Sequence, residues 1–203
     1  NGVVIWNPSK QDYSHRVLLT EPEVRHVLEA FLGRGVTPFL FTLESNGRHA
    51  VYHAPLHGGA ERRLADVIRR DRGLPVLPVA ELPWDAELTN ISAIGEPETI
   101  RTVADMVAGD EHLVAYMGEA IEGGGLSWID VHHSAGSKGG AVDTLKQELG
   151  ISRVICFGDS DNDLSMFATA DECYAPANAK PDVLAAATAV IGHHDEDGIA
   201  RFL

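Results

Sequence analysis

In Val154-Ile155-Cys156-Phe157-Gly158-Asp159-Ser160-Asp161-Asn162-Asp163, an apolar run passes directly into a cluster of acids. The apolar residues are typical of a buried strand, and Gly158 ends them abruptly. In open α/β sheets ligands bind beyond the carboxyl ends of the strands, so these acids are expected at a binding crevice. Carboxylates this close together repel one another, and a hard cation among them would relieve the repulsion. The stretch therefore predicts an α/β fold with a metal site at a strand end.

The residues around this stretch alternate between strand and helix patterns. Ser137 is placed to cap a helix that ends at Gly150. The segments that follow are predicted as a strand over 153–157, a helix over 162–169, a strand over 173–175, a helix over 181–187 and a strand over 189–191. Strict alternation of this kind indicates a parallel sheet covered by helices.

The first half of the chain is predicted to form a separate α/β unit. Short strands are expected over 3–6 and 16–19, and Thr20-Glu21-Pro22-Glu23 has the form of a capping box before a helix that ends at Gly33. Further expected elements are a hairpin around Asn46-Gly47, helices over 61–72 and 97–107, a strand over 88–94, and a hairpin around the glycine-rich residues 122–125. We place the domain boundary near residue 133, giving domains over 1–133 and 134–203.

Three interpretations of the acidic loop compete. A calcium loop of the EF-hand type fails, because the sixth position is Leu164 instead of glycine and the twelfth is Ala170 instead of glutamate. An acidic loop that merely caps a helix, with Asp161 as the N-cap, stays open. The third interpretation is a magnesium site for phosphoryl transfer, with Asp159 on the metal and Asp163 holding its water shell.

Lys138 favours the magnesium site. It opens the helix that precedes the acidic strand, so its ammonium group is expected to reach the same crevice. A lysine at a helix start is unfavourable against the helix dipole. A bound phosphate or a nearby aspartate would explain its presence there.

Four motifs together resemble the haloacid dehalogenase superfamily, most closely its Cof-type phosphatases, which carry a large α/β cap. They are Gly136-Ser137-Lys138-Gly139, the segment 157–163, Ala175-Pro176-Ala177-Asn178-Ala179-Lys180 and Glu196-Asp197-Gly198-Ile199-Ala200. Residues 1–133 resemble the cap in the order of elements, and residues 1–5 resemble the segment that leaves the core for the cap. The resemblance implies a partial Rossmann-like parallel core plus an α/β cap domain, with residues 1–6 near the junction.

The resemblance also implies an activity: Mg²⁺-dependent hydrolysis of small phosphorylated metabolites, such as sugar phosphates, through an aspartyl-phosphate. By motif position Lys138 is the catalytic lysine, and Asp159 and Asp163 are the metal residues of the loop. Asn162 and Asn178 are candidate substrate-binding residues, and Asn178 follows a strand end from which it could also orient the loop.

The nucleophile of the family lies in an Asp-x-Asp motif at the end of the first core strand. In this chain the sequence Asp159-Ser160-Asp161 is the one that directly ends an apolar strand, and it is already assigned. We therefore expect the nucleophile upstream of residue 1 and the chain alone to be inactive. A phosphomutase of the same superfamily and a non-catalytic metabolite- or metal-binding module stay open as alternatives. The residues encoded before Asn1 distinguish the enzyme from the binding module.

The composition and charge of the chain limit the classes of partner that it is expected to bind. The formal net charge of −14 argues against a nucleic-acid partner. No apolar run is long enough for a membrane span and no secretion signal is evident. The two cysteines, Cys156 and Cys173, are interpreted as buried free thiols of a reducing cytoplasm. The oligomeric state stays open.

The histidines carry weaker signals. The adjacent pairs His132-His133 and His193-His194 would point to opposite sides of a strand, where they seldom bind one metal together. Tyr52, His53 and His57 are candidates for the substrate face of the cap.

Overall fold

A computed structural model of the chain describes residues 1–120 and 124–203 and divides them into two compact units. The terminal unit combines both ends of the chain, Asn1–Arg16 and Ala135–Leu203, and the inserted unit is Val17–Ser134. This division differs from the predicted domains, because residues 1–16 belong with the C-terminal segment. Close packing explains the difference at Gly2, where a Cβ atom would lie 2.2 Å from the carbonyl oxygen of Ser137.

The elements alternate along the chain as follows. The strands are β1 (Val4–Asn7), β2 (Asp12–Arg16), β3 (Phe39–Leu43), β4 (His49–His53), β5 (Val76–Pro78), β6 (Glu87–Gly95), β7 (Leu113–Glu119), β8 (Ser127–His133), β9 (Ile155–Phe157), β10 (Glu172–Pro176) and β11 (Ala189–Ile191). The helices are α1 (Glu21–Leu32), α2 (Gly59–Asp71), α3 (Pro97–Val107), α4 (Lys138–Leu149), α5 (Leu164–Phe167), α6 (Pro181–Ala186) and α7 (Gly198–Phe202).

The terminal unit contains the predicted parallel sheet. Its strands lie in the order β11-β10-β9, and both neighbouring pairs are parallel. The buried side chains between this sheet and its helices are Cys156, Phe167, Cys173, Ala175, Ala179 and Val183. Both cysteines are free and buried, as predicted. The α/β fold class is confirmed.

Two predicted elements of the terminal unit are wrong. The strand expected over 16–19 is β2, which ends at Arg16 and pairs antiparallel with β1. A turn shifts it toward the N-terminus, because the Asn7 side chain accepts hydrogen bonds from the N–H groups of Ser9 and Lys10 at 3.0 and 3.1 Å. The helix expected over 162–169 is a 3₁₀ turn, Asp161–Asp163, followed by the short α5.

The inserted unit is a six-stranded sheet with helices on both faces. The strand order is β5-β4-β3-β6-β8-β7. Cross-strand pairing sets Leu40 beside Ile91, and Ile91 belongs to the core that α1 and α3 cover. Phe39 and Phe41 point the other way and pack with Ala65 and Ile68 of α2.

Local signals of the inserted unit were mostly predictable. Glu23 caps α1 by accepting a hydrogen bond from the N–H group of Thr20 at 2.6 Å, and Asn46-Gly47 joins β3 to β4 as predicted. The glycine-rich connection expected over 122–125 lies partly outside the described residues. The assignment of Tyr52 to a substrate face is wrong, because its ring is buried and its hydroxyl donates to Glu44 Oε1 at 2.8 Å.

Within the part of the chain that the structure describes, no helix has the length and apolar character that a membrane span requires.

Candidate functional site

The acidic loop begins directly after β9, at a point where the backbone packs closely against the 3₁₀ turn that follows it. Gly158 is required there, because a Cβ atom on it would lie 2.5 Å from the Cβ atom of Asp163. The chain therefore leaves the strand and returns within five residues to bring Asp163 under the strand end. This close approach fixes the loop in space.

Asp163 is the buried centre of the loop, with 3% of its surface exposed. Its Oδ2 atom accepts hydrogen bonds from the N–H groups of Asp159 at 2.9 Å and Ser160 at 3.0 Å, and its Oδ1 atom accepts one from Lys138. Burial raises the pKa of Asp163, but the hydrogen bonds from Lys138 and from the two N–H groups outweigh it, so the net pKa lies below its ordinary value. The carboxylate is therefore held in its charged form.

Lys138 reaches the loop from the first residue of α4. The Ser137 hydroxyl caps this helix by accepting a hydrogen bond from the N–H group of Gly140 at 3.0 Å. Gly139 lets α4 approach α5, because a Cβ atom there would lie 2.3 Å from the carbonyl oxygen of Ser165. From this position Lys138 Nζ contacts Asp163 and lies 3.4 Å from Asn162 Oδ1.

Asp159 presents the available carboxylate of the loop. Its side chain is exposed, and among residues 1–120 and 124–203 no side chain pairs with its carboxylate. The neighbouring acid Asp161 differs, because it forms an ion pair with Lys180 at 2.6 Å. The backbone N–H group of Lys180 also donates to the carbonyl oxygen of Asp159 at 3.0 Å. The loop is thus fixed from both sides, while the Asp159 oxygens remain open to a ligand.

The structure brings together four of the five predicted site residues. Lys138, Asn162 and Asp163 are in mutual contact, and Asp159 is tied to Asp163 through its backbone. The fifth, Asn178, has a different partner, because its Oδ1 atom accepts a hydrogen bond from the N–H group of His194 at 3.1 Å. Substrate binding by Asn178 and Asn162 stays a prediction.

Two residues of the site were missed at the level of sequence. Asn1 Oδ1 accepts a hydrogen bond from Asn162 Nδ2 at 3.1 Å, which joins the start of the chain to the acidic loop. The one indication of this contact in the sequence is the glycine at position 2, which adopts a φ of +90° that favours glycine. The second residue is Lys180, the last residue of the motif 175–180, which pairs with Asp161.

The chain is similar to known proteins along its whole length. A profile of the haloacid dehalogenase-like hydrolases matches residues 1–203. The putative phosphatase YxeH of Bacillus subtilis is 34% identical over 125 residues, which cover 61% of this chain and 45% of that protein. A phosphoglycolate phosphatase of Halorubrum lacusprofundi is 30% identical over 184 residues, or 87% of this chain and 75% of that protein.

Among solved structures, a haloacid dehalogenase-like hydrolase from B. subtilis superposes with a TM-score of 0.77 at 22% identity. The superposition covers 100% of this chain and 76% of that one. The chain thus spans less than half the length of the curated relative YxeH and about three quarters of a solved relative. The matched profile and the fold agree with the motifs of the terminal unit, and the chain belongs to the haloacid dehalogenase-like hydrolases, in their Cof-type branch.

Proposed function

We propose that this chain is part of a Mg²⁺-dependent phosphatase that hydrolyses small phosphorylated metabolites through an aspartyl-phosphate. The observation that carries the proposal is that buried Asp163 holds both Lys138, at the start of α4, and the backbone of Asp159, whose carboxylate is open. A lysine and a free carboxylate at the end of a parallel strand suit a metal-assisted phosphate site.

The donor set fits Mg²⁺. This ion prefers hard oxygen ligands and keeps several water molecules, so one or two carboxylates are enough to hold it. Asp159 would hold the ion directly. Mg²⁺, when bound, neutralises negative charge on the phosphoryl oxygens.

Asp163 has a positioning role in this proposal. Both of its oxygens are already engaged, one by Lys138 and the other by the N–H groups of Asp159 and Ser160. It therefore orients the Asp159 backbone and holds Lys138 toward the phosphate. In this proposal Asp163 supports the metal ligand Asp159, and a role of Asp163 as a metal residue in its own right stays a prediction.

Lys138 and Asn162 would contact the substrate. The Lys138 ammonium group offers three donors, of which Asp163 takes one and Asn162 takes a second, longer one, and the third is available to a phosphoryl oxygen. Asn162 is oriented by Lys138, which donates to its Oδ1 atom, and by Asn1, which accepts from its Nδ2 atom, and the second hydrogen of Nδ2 would be offered to the phosphate. Together they would position the phosphate and offset its charge.

The attacking group would be an aspartate carboxylate outside the acidic loop. Its oxygen forms a bond to phosphorus while the bond to the leaving alkoxide breaks, and a second acid donates a proton to that alkoxide. Water then hydrolyses the aspartyl-phosphate and releases inorganic phosphate. The phosphoglycolate phosphatase of H. lacusprofundi supports a small phosphomonoester as substrate.

Metal binding tests the first half of the proposal. Mn²⁺, followed by electron paramagnetic resonance as a probe of the Mg²⁺ site, should bind the chain and be displaced by Mg²⁺. Asp159→Asn should weaken binding by about tenfold or more. Asp182→Asn, which removes an exposed acid on α6, is the matched control and should bind as the original chain does. Equal binding by both variants would contradict the assignment of Asp159.

Turnover tests the second half. The 203-residue chain is expected not to hydrolyse a generic aryl phosphate in the presence of Mg²⁺. Appreciable turnover would show that its own residues supply the nucleophile. The residues encoded before Asn1 give an independent check, because an apolar strand that ends in Asp-x-Asp favours the enzyme over a binding module.

A further inference from the structure

Two histidines and an aspartate converge after β11. We call His193, His194 and Asp195 the His-His-Asp turn. One ligand atom from each lies within 4.8 Å of the others. His194 Nε2 is 2.8 Å from Asp195 Oδ1, and His193 Nδ1 is 3.6 Å from Asp195 Oδ2.

The local backbone explains why both imidazoles lie together. Adjacent histidines on a strand would point to opposite sides, which was the expectation for this pair. The chain instead leaves β11 at Ile191 and enters a 3₁₀ turn at His194. In this geometry the two rings stack, with centroids 4.5 Å apart and planes inclined by 28°. The two imidazoles therefore lie side by side, where both could contact one metal ion.

The turn is also held in place before any ligand binds. The carbonyl oxygen of His193 accepts hydrogen bonds from the N–H groups of Glu196 at 3.0 Å and Gly198 at 3.1 Å. A Cβ atom on Gly198 would lie 1.9 Å from the carbonyl oxygen of Gly192, so the residues that flank the turn on either side are in direct contact. Asn178, in the turn that follows β10, accepts a hydrogen bond from the N–H group of His194. Because the backbone is fixed, a ligand need order only side chains.

The donor set selects a class of ion. Imidazole nitrogens with one carboxylate suit Zn²⁺, Ni²⁺ and Cu²⁺, whereas Mg²⁺ prefers oxygen ligands throughout. Metal–ligand distances of about 2.0–2.1 Å in a tetrahedral site place donor atoms roughly 3.4 Å apart. Rotation of exposed side chains reaches that spacing from the present one. The side chains of His193, His194 and Asp195 are 39%, 60% and 74% exposed.

We propose that the His-His-Asp turn binds a late first-row divalent cation, represented by Zn²⁺, at a site separate from the acidic loop. The fourth coordination position is open to water. On binding, the ion takes the place of the 3.2 Å contact between the Asp195 N–H group and His193 Nδ1 and of the 2.8 Å contact between His194 Nε2 and Asp195 Oδ1.

Titration of the 203-residue chain with Zn²⁺ by isothermal calorimetry tests the site. Excess Mg²⁺ is included throughout so that oxygen-only sites are filled. One equivalent of Zn²⁺ is expected to bind, and His193→Asn, His194→Asn and Asp195→Asn should each weaken binding by about tenfold or more. Co²⁺ bound in place of Zn²⁺ should give visible absorption that all three variants lose.

Two matched controls keep the test specific. Glu196→Gln removes the next acid along the turn, and His112→Asn removes an exposed imidazole that also stands beside a carboxylate, that of Glu111. Both should bind Zn²⁺ as the original chain does. Unchanged binding by any of the three ligand variants, displacement of Zn²⁺ by Mg²⁺, or loss of binding in a control would overturn the assignment.

Discussion

Lys138, the first residue of α4, donates a hydrogen bond to Asp163, and the second oxygen of Asp163 holds the N–H groups of Asp159 and Ser160. One carboxylate thus connects a helix start to the loop that carries the proposed metal ligand. Because Asp163 is buried, these hydrogen bonds are hard to replace by water.

Replacement of Asp163 should destabilise the terminal unit. Asp163→Asn removes the charge and sets an N–H donor against Lys138 or against the backbone N–H groups. The free energy of unfolding should fall by about 1.5–3 kcal/mol, measured by urea unfolding. Asp161→Asn, which breaks the more exposed pair with Lys180, should cost less than about 1 kcal/mol. Equal losses would contradict the structural role of Asp163.

Asp163 should also make the free energy of unfolding depend on pH in the acid range. The folded state lowers the pKa of Asp163, so its contribution is present above the unfolded value of about 3.9 and is lost as the pH falls through the folded value. The difference in unfolding free energy between the original chain and Asp163→Asn should therefore be constant near neutral pH and shrink in acid. A difference that grew below pH 4 would show the opposite sign of linkage.

Two adjacent glycines of α4 should respond differently to alanine. Gly139→Ala drives a methyl group against the carbonyl oxygen of Ser165 and should lower stability by about 1–3 kcal/mol. At Gly140 the nearest atoms lie at 3.4 Å, so Gly140→Ala should be neutral or stabilise by up to about 1 kcal/mol. Thermal unfolding of both variants checks the contrast, and a stable Gly139→Ala protein would mean that α4 and α5 are less tightly packed.

Cys156 should react slowly with thiol reagents in the folded protein. Burial raises the pKa of its thiol, and the neighbouring Cys173 and Asp163 add to the shift, so little reactive thiolate forms. In a Cys173→Ala variant, which isolates Cys156, an aromatic disulfide reagent should give slow colour development that becomes fast in guanidinium chloride. Fast reaction of the native variant would contradict the buried position.

The sequence was sufficient for those parts of the site that depend on local chemistry. The acids after β9 and the lysine at the start of α4 were predictable, because strand ends and helix starts of a parallel sheet meet at one edge. The capping of α1 and the β3–β4 hairpin were predictable for the same local reason.

Contacts between distant residues could not be predicted in this way. The hydrogen bond between Asn1 and Asn162 joins residues 161 positions apart, and the packing of Gly2 on Ser137 holds the start of the chain beside them. Helix α5 is short because Asp163 accepts hydrogen bonds from the N–H groups of Asp159 and Ser160. These bonds accompany a 3₁₀ turn before α5 in place of a longer helix. The stacking of His193 on His194 depended on the turn after β11, which periodicity does not reveal.

In the proposed phosphatase, the two lysines of the site would also affect the order in which the cation and the phosphate bind. Of the three carboxylates on the acidic loop, Lys138 balances Asp163 and Lys180 balances Asp161, which leaves the single negative charge of Asp159. A phosphate group that approaches the bare loop is repelled, within a chain whose formal charge is already −14. A divalent cation changes the local sum from −1 to +1. In the proposed phosphatase, the loop would therefore bind the anion more readily after the cation than before it.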